Sequence, residues 1–286
     1  MPITDAAEVG GLSAKTFARF AEFITSELGI KMPDSKLTMV HSRLLRRVRE
    51  LQLKSVEQYS EYFFTSANAE ERDHFINAIT TNKTDFFREA EHFDFLTRAV
   101  LPSFSRTARP GSRLTVWSAG CSSGEEPYTL AMVLSEYALA QPGFDYAILG
   151  TDISTRVLDL ARAAIYHESQ TATVPSELRR KYLWQGREKS QCLVRVVPEL
   201  RRKVTFHRLN FMDENYGIRD MFDVVFFRNV LIYFDKPTQE AVINKICRNL
   251  VPGGYFFAGH SESLAGLDTD LSCVRTAVFR KGDRKT

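Results

Sequence analysis

The sequence predicts an α/β fold: a Rossmann-like domain carrying a small inserted β-subdomain and preceded by an all-α N-terminal domain. Three observations lead there. Residues 1–80 show helical periodicity with good start signals and few β-rich runs. After Arg113, apolar β-type runs alternate with amphipathic helical stretches, the pattern of a parallel sheet covered on both faces. Between these parts, residues 114–128 pass from a buried-strand pattern through a glycine turn into a helix start.

In the N-terminal domain, Ser55-Val-Glu-Gln58 and Asn68-Ala-Glu-Glu71 are helix-start signatures. On a helical wheel over residues 34–54, Leu37, Leu44, Val48 and Leu51 share one arc, while Lys36, Arg43, Arg47 and Lys54 line another. Arg46 and Arg49 add charge. Such a stripe reads either as a solvated helix face or as a ridge that docks an acidic partner. Residues 81–112 are expected to link the two domains, and residues 113–286 to form the α/β domain. Strands are expected at Leu114–Ser118, Tyr146–Thr151, Val204–Leu209, Phe222–Phe227, Tyr255–Gly259 and Val274–Arg280. Helices are expected at Glu125–Ala140, Ser154–Ala163 and Pro237–Leu250, and Pro252-Gly253-Gly254 reads as a turn. Residues 165–203 break the rhythm with a β-type run, Cys192–Val197, and a dense basic population that includes Arg187 and Lys189. They read as the inserted subdomain, a usual place for partner recognition.

The turn Ser118-Ala-Gly-Cys-Ser-Ser-Gly-Glu-Glu-Pro-Tyr128 carries the chemistry. A strand, a glycine turn and a helix N-terminus let backbone N–H groups approach a nucleotide-like ligand. Its spacing matches neither Gly-x-Gly-x-x-Gly nor Gly-x-x-x-x-Gly-Lys-Ser/Thr. Glu125 and Glu126 would repel a pyrophosphate there, whereas a sulfonium and an α-amino group suit them, which points to S-adenosylmethionine. The same acids also read as a first turn stabilised through the helix dipole. Asp152, closing the second strand, is placed to accept ribose hydroxyls, although it also reads as a cap for the helix near Ser154. Asn210-Phe211 ends the third strand and offers an amide and a ring for adenine; an amide there also forms turns. His260 with Glu262 hints at general-base chemistry, but a histidine without an orienting partner signals little.

Composition bounds the rest. At 286 residues and 44% hydrophobic the chain can bury a full core, and a formal charge of +3 demands no polyanion. The four cysteines (Cys121, Cys192, Cys247, Cys273) and six histidines are scattered, so neither a disulfide framework nor a metal site is expected. No apolar run approaches about 18 residues, and no signal peptide is apparent, so a cytoplasmic protein without membrane insertion is expected. No oligomeric surface stands out, and a monomer is expected.

The motifs taken together resemble the CheR family of chemotaxis-receptor methyltransferases, which methylate protein glutamates. The resemblance covers about Phe17 to Arg280 and rests on Asn77–Glu89, Ser118–Tyr128, Phe227-Arg-Asn-Val-Leu-Ile-Tyr-Phe234 and Ala258-Gly-His-Ser-Glu262. It implies that Asn82, Thr84 and Arg88 reach S-adenosyl-L-methionine from the interdomain segment. Gly120, Glu126, Asp152, Asn210, Phe211, Asn229 and Val230 complete the site. It further suggests that Arg88 helps hold a carboxylate and Tyr233 shapes the methyl-transfer pocket. The implied partner is the glutamate-rich helical bundle of a chemoreceptor's cytoplasmic region, docked by Lys36, Arg43 and Arg47. Family members that capture a receptor's C-terminal tail tend to carry Gly-x-Gly in the subdomain loop. Gln185-Gly186-Arg187-Glu188 has one glycine, which argues against tail capture.

The implied chemistry asks little of the protein. A glutamate carboxylate, with an ordinary pKa of about 4.3, is already an anionic nucleophile. In-line placement of carboxylate, methyl and sulfur is then the main requirement. Methylation of nucleic acid is the competing enzymatic reading. Against it, Arg228-Asn229-Val230-Leu231 stands where base N-methyltransferases carry an Asp/Asn/Ser-Pro-Pro-Tyr/Phe element. A non-catalytic cofactor sensor is the third.

Overall fold

The computed structural model describes residues 12–109, 111–186 and 192–282. Arg187, Glu188 and Lys189 of the basic insertion lie outside the described residues. The chain divides into two compact units, Met1–Thr81 and Asn82–Thr286.

The first unit is helical: α1 (Ala14–Leu28), α2 (Leu37–Glu50), α3 (Val56–Thr65) and α4 (Ala69–Ile79). Ser13, Ser55 and Asn68 each cap a helix by accepting a backbone N–H with the side chain, and Gly29 closes α1 in the left-handed conformation. Phe20, Phe63 and Phe75 pack ring to ring, with Phe63 and Phe75 centroids 4.5 Å apart. Val40, Leu44 and Val48 form the buried stripe of α2.

The basic ridge expected on α2 does not hold together as an outward face. Arg47 turns inward: its side chain is 11% exposed and forks onto Glu71, itself buried, with a further bond to Glu50. The Tyr59 hydroxyl donates to the same Glu71 at 2.7 Å. Burial opposes the Arg47 charge, but Glu71 and Glu50 outweigh it and raise the guanidinium pKa. Arg43 reaches the carbonyls of Ile79 and Thr80 and the Thr81 hydroxyl, so it caps the end of α4. A wheel places residues on arcs; it does not say which cation finds a carboxylate on the next helix. Lys36, Arg46, Arg49 and Lys54 remain exposed, with Arg46 paired to Glu50.

The second unit begins with the segment expected as a linker, and that segment is part of the unit's body. It contains α5 (Glu91–Phe95), a π-helical turn (Leu96–Val100) and α6 (Leu101–Thr107), and Phe86, Phe93, Leu96, Val100 and Leu101 belong to the core. Then follow β1 (Arg113–Ala119), α7 (Glu125–Ala140), β2 (Asp145–Asp152) and α8 (Thr155–Ala163). The insertion supplies β3 (Ile165–His167), α9 (Ser176–Tyr182), β4 (Leu183–Gln185) and β5 (Leu193–Val196), whose strands form a separate antiparallel sheet in the order β3-β5-β4. The main sheet resumes through α10 (Pro198–Arg201), β6 (Val204–Arg208), β7 (Phe222–Phe226), α11 (Lys236–Arg248), β8 (Leu250–Phe257), β9 (Leu271–Arg275) and β10 (Val278–Lys281).

The seven strands run in the order β6-β2-β1-β7-β8-β10-β9; the five from β6 to β8 are parallel, and β10 and β9 are antiparallel additions. Chain order reverses at β1, between β2 and β7, which is the switch point where open α/β sheets bind ligands. Two expectations change. Pro252-Gly253-Gly254 lies within β8 at a register irregularity, because the strand kinks and continues there. The single strand expected over Val274–Arg280 is two strands folded at Thr276-Ala277, where Ala277 has φ 58° without any glycine to announce it.

Candidate functional site

At the switch point the Gly120 turn wraps the end of β2. The N–H groups of Gly120 and Cys121 donate to the Thr151 carbonyl at 2.7 and 2.8 Å. The Ser122 N–H donates to Asp152 Oδ2 at 2.9 Å, and the Ser154 N–H to Oδ1 at 3.0 Å. Asp152 is thus anchored by backbone from both sides of the cleft, and burial raises its pKa. Gly120 has φ +79°, and a Cβ there would lie 2.6 Å from Val230 Cγ2 and 3.9 Å from the Phe211 ring. Val230 therefore packs directly onto residue 120, with Phe211 beside it, in a contact that only glycine allows.

The acidic pair at the start of α7 divides. Glu125 is buried beneath the turn, taking the Ser123 hydroxyl at 2.7 Å. Glu126 accepts the Ser118 hydroxyl at 2.7 Å and sits 3.3 Å from Arg228 Nη1. Burial pushes the Glu126 carboxyl pKa up, opposed by Arg228, Ser118 and, more weakly, Arg88.

Arg228, at the end of β7, is the residue that sequence reasoning missed. Its side chain is 2% exposed and lies between Glu126 and Glu89, 3.2 Å from the latter, while donating to the Arg88 carbonyl. The rings of Phe93 and Phe226 flank its guanidinium. Glu89 also receives the Asn229 amide at 3.3 Å and the His260 N–H at 3.3 Å. Glu262 accepts the N–H groups of Asn229 and Gly259 at 2.9 and 2.6 Å. A Cβ at Gly259 would meet the Asn229 amide nitrogen at 2.5 Å, so the two strand ends touch only because this residue is glycine. The available signal for Arg228 was a charge directly after the apolar run Val224–Phe227, a position that stays buried only with partners.

The remaining candidates fall around this frame. The Asn82 carbonyl accepts the Ser122 hydroxyl at 2.8 Å, and the Phe87 N–H donates to Thr129 on α7 at 3.1 Å. Residues 82–89 are thereby fastened beside the turn, carrying Thr84 and Arg88, whose Nη1 donates to the Lys83 carbonyl. Asn210 Oδ1 accepts the Met212 N–H at 3.0 Å, the turn-forming use of that amide. Tyr233 is half-buried on a 3₁₀ turn, Leu231–Tyr233, that follows Val230. Phe87, Glu89, Ser122 and Asn229 all have φ between 48° and 59°. Four left-handed non-glycine residues in one region store strain of the kind found at ligand sites. His92, buried near Arg228, has its pKa pushed down to about 3 by burial and by that cation.

Asn210, Asp152, Glu126 and Asn229 offer acceptors and amides, Phe211 and Val230 apolar walls, and Gly120 a cradle without a side chain. That donor set suits a ligand with hydroxyls, a flat heterocycle and a cationic end, and it provides no cluster of donors for a pyrophosphate. Comparison with known proteins agrees. Residues 15–80 match the CheR methyltransferase all-alpha domain, and residues 82–279 the CheR methyltransferase SAM binding domain. The chain is 38% identical over 268 residues to the chemotaxis protein methyltransferase of Salmonella typhimurium, covering 94% of this chain and 90% of the relative. Identity is 39% over 269 residues to that of Escherichia coli, covering 94% and 91%. It is 40% over 265 residues to chemotaxis protein methyltransferase 2 of Pseudomonas aeruginosa, covering 92% and 91%. The chain belongs to the CheR family of methyltransferases and binds S-adenosylmethionine.

Proposed function

We propose that this methyltransferase esterifies glutamate side chains on the cytoplasmic helices of chemoreceptors, leaving S-adenosyl-L-homocysteine. The observation that carries the reading is the convergence of the Gly120 turn, Glu126, Asp152, Phe211, Asn229 and Val230 at the sheet's switch point. The relatives' description as chemotaxis protein methyltransferases supports the pathway.

The cofactor supplies an electrophilic methyl group on a sulfonium. Asp152 would accept the ribose hydroxyls beside the backbone bonds that anchor it, and Phe211, Asn210 and Val230 would hold the adenine. Glu126 would take the cofactor's amino group, and Asn82, Thr84 and Arg88 would hold its methionine end. Arg228 offsets part of the cost of burying the Glu126 carboxylate. Tyr233, half-buried on the turn after Val230, would shape the methyl-transfer pocket. The target carboxylate needs no base, so these residues orient it and exclude water.

Receptor docking falls to the cations that stay exposed on the first unit, Lys36, Arg49 and Lys54, with Arg43 and Arg47 shaping the helices that present them. Their attraction to acidic helices is long-range and screened by salt. A monomer working in the cytoplasm fits this role; no described helix is long and apolar enough to cross a membrane. Incubation with S-adenosylmethionine and a glutamate-rich receptor fragment, followed by peptide mass spectrometry, tests the proposal. Methyl groups on glutamates support it, and an unmodified receptor beside a labelled nucleic acid would contradict it.

A further inference from the structure

We propose that Glu89, His92 and His260 form a binding site for a transition-metal dication of the zinc class, with a fourth position left to water. Their potential ligand atoms all lie within 4.8 Å of one another. Glu89 Oε2 and His92 Nδ1 are already 3.5 Å apart. Two ligands held at about 2.0–2.1 Å by one tetrahedral ion stand at about that spacing, so the His260 ring has to close in and Glu89 Oε2 has to share the lone pairs that now take Arg228 and the His260 N–H.

His92 is the reason to look for a ligand here. It is 2% exposed, and neither ring nitrogen finds a hydrogen-bond partner among the described residues. A core histidine ordinarily satisfies at least one nitrogen, since an orphaned buried polar atom costs about 1–3 kcal/mol. This ring instead faces a carboxylate and meets a second imidazole edge to face, with centroids 4.7 Å apart. Two imidazoles and one carboxylate suit zinc, cobalt or nickel and suit magnesium or calcium poorly. His260 is exposed and gives the ion a route in. Glu89 already holds Arg228 and Asn229, so the ion shares an occupied carboxylate and exchanges more readily than one in a closed structural site. The site rests on these three side chains and not on the methyl-acceptor assignment.

Cobalt(II) titration of the full chain tests it. The expected result is saturation at one equivalent, with the visible absorption of tetrahedral cobalt bound to nitrogen and oxygen, reversed by added zinc. His260→Ala removes a ligand from an exposed position and should weaken binding by about tenfold or more, while the melt stays cooperative. His92→Phe should do the same, but that ring is buried and its loss can disturb the fold, so His260→Ala is the deciding variant. Intense near-ultraviolet thiolate-to-cobalt bands would place the metal on cysteines and overturn the proposal. Unchanged cobalt affinity in His260→Ala would overturn it equally.

Discussion

Arg47 in the helical unit and Arg228 in the sheet unit are each sunk between two glutamates, yet their surroundings differ in completeness. Around Arg47, Glu71 accepts a two-pronged guanidinium bond and the Tyr59 hydroxyl, and the backbone nearby is ordinary helix. Around Arg228, Nε has no partner among the described residues, and Glu89 and Asn229 are held in left-handed backbone. Glu89 reaches it from the segment before α5 and Glu126 from the first turn of α7. A satisfied buried ion pair fixes helix packing. An incompletely satisfied one, held by strained loops beside a cradle, keeps polar capacity for a ligand. Charge and burial alone do not separate a structural arginine from a functional one; the state of the neighbours does.

The widest contrast is expected between Arg47→Ala and Arg228→Ala. Each leaves a buried carboxylate uncompensated, at a cost of about 3–5 kcal/mol in its own unit. Arg47→Ala should lower the melting temperature yet leave S-adenosylhomocysteine affinity unchanged in the folded fraction. Arg228→Ala should lose both stability and binding, as read by calorimetry and thermal melts. Equal cofactor affinity in the two variants would dissolve the distinction.

Next in size is Asp152→Ala. Losing a charged acceptor for ribose removes roughly 1.5–3 kcal/mol, or about tenfold to over a hundredfold in affinity for S-adenosylhomocysteine. Because Asp152 also anchors Ser122 and Ser154, the melt must be recorded alongside. An intact fold with full affinity would rule the ribose role out. Gly120→Ala comes third. The left-handed backbone costs an alanine about 1–2 kcal/mol, and the new Cβ strikes Val230. Affinity should fall, and Val230→Ala in the double variant should restore part of it by removing the clash. No rescue would mean that backbone strain, not the Val230 contact, sets the effect.

The smallest effect concerns Glu125, whose pKa burial raises, with Ser123 partly offsetting the shift. A carboxyl with a folded pKa above its unfolded value binds its proton more tightly when folded. Its contribution is therefore present below the unfolded pKa of about 4.3 and is lost as pH rises through the folded value. Glu125→Gln escapes that loss, so its melting temperature relative to the parent should climb between pH 4 and pH 7. A constant difference across that range would show that Glu125 is not penalised by burial.

Local patterns were enough to read the parallel sheet, α7 as Glu125–Ala140, the glycine turn and the acid at the end of β2, because each is written in consecutive residues. The fold elements that escaped depend on distant partners. Arg228 and Glu89 lie 139 positions apart, and nothing near either names the other. Glu89, His92 and His260 were three scattered polar residues until the chain brought β8 back beside α5. The hairpin at Thr276-Ala277 bends without glycine or proline, so the sequence shows a continuous strand. On α2, periodicity identified the buried stripe but not that Glu71 would draw Arg47 inward. Residues 82–89 drew attention only through family resemblance; their own sequence reads as the end of a helix followed by core phenylalanines.

The most direct test of carboxylate methylation is the chemical stability of the product. Receptor-bearing membranes labelled with tritiated methyl from S-adenosylmethionine by this enzyme should release volatile methanol under mild alkali, as glutamate esters do. Label that stays bound through the same alkali treatment would mark N-methylation and contradict the account.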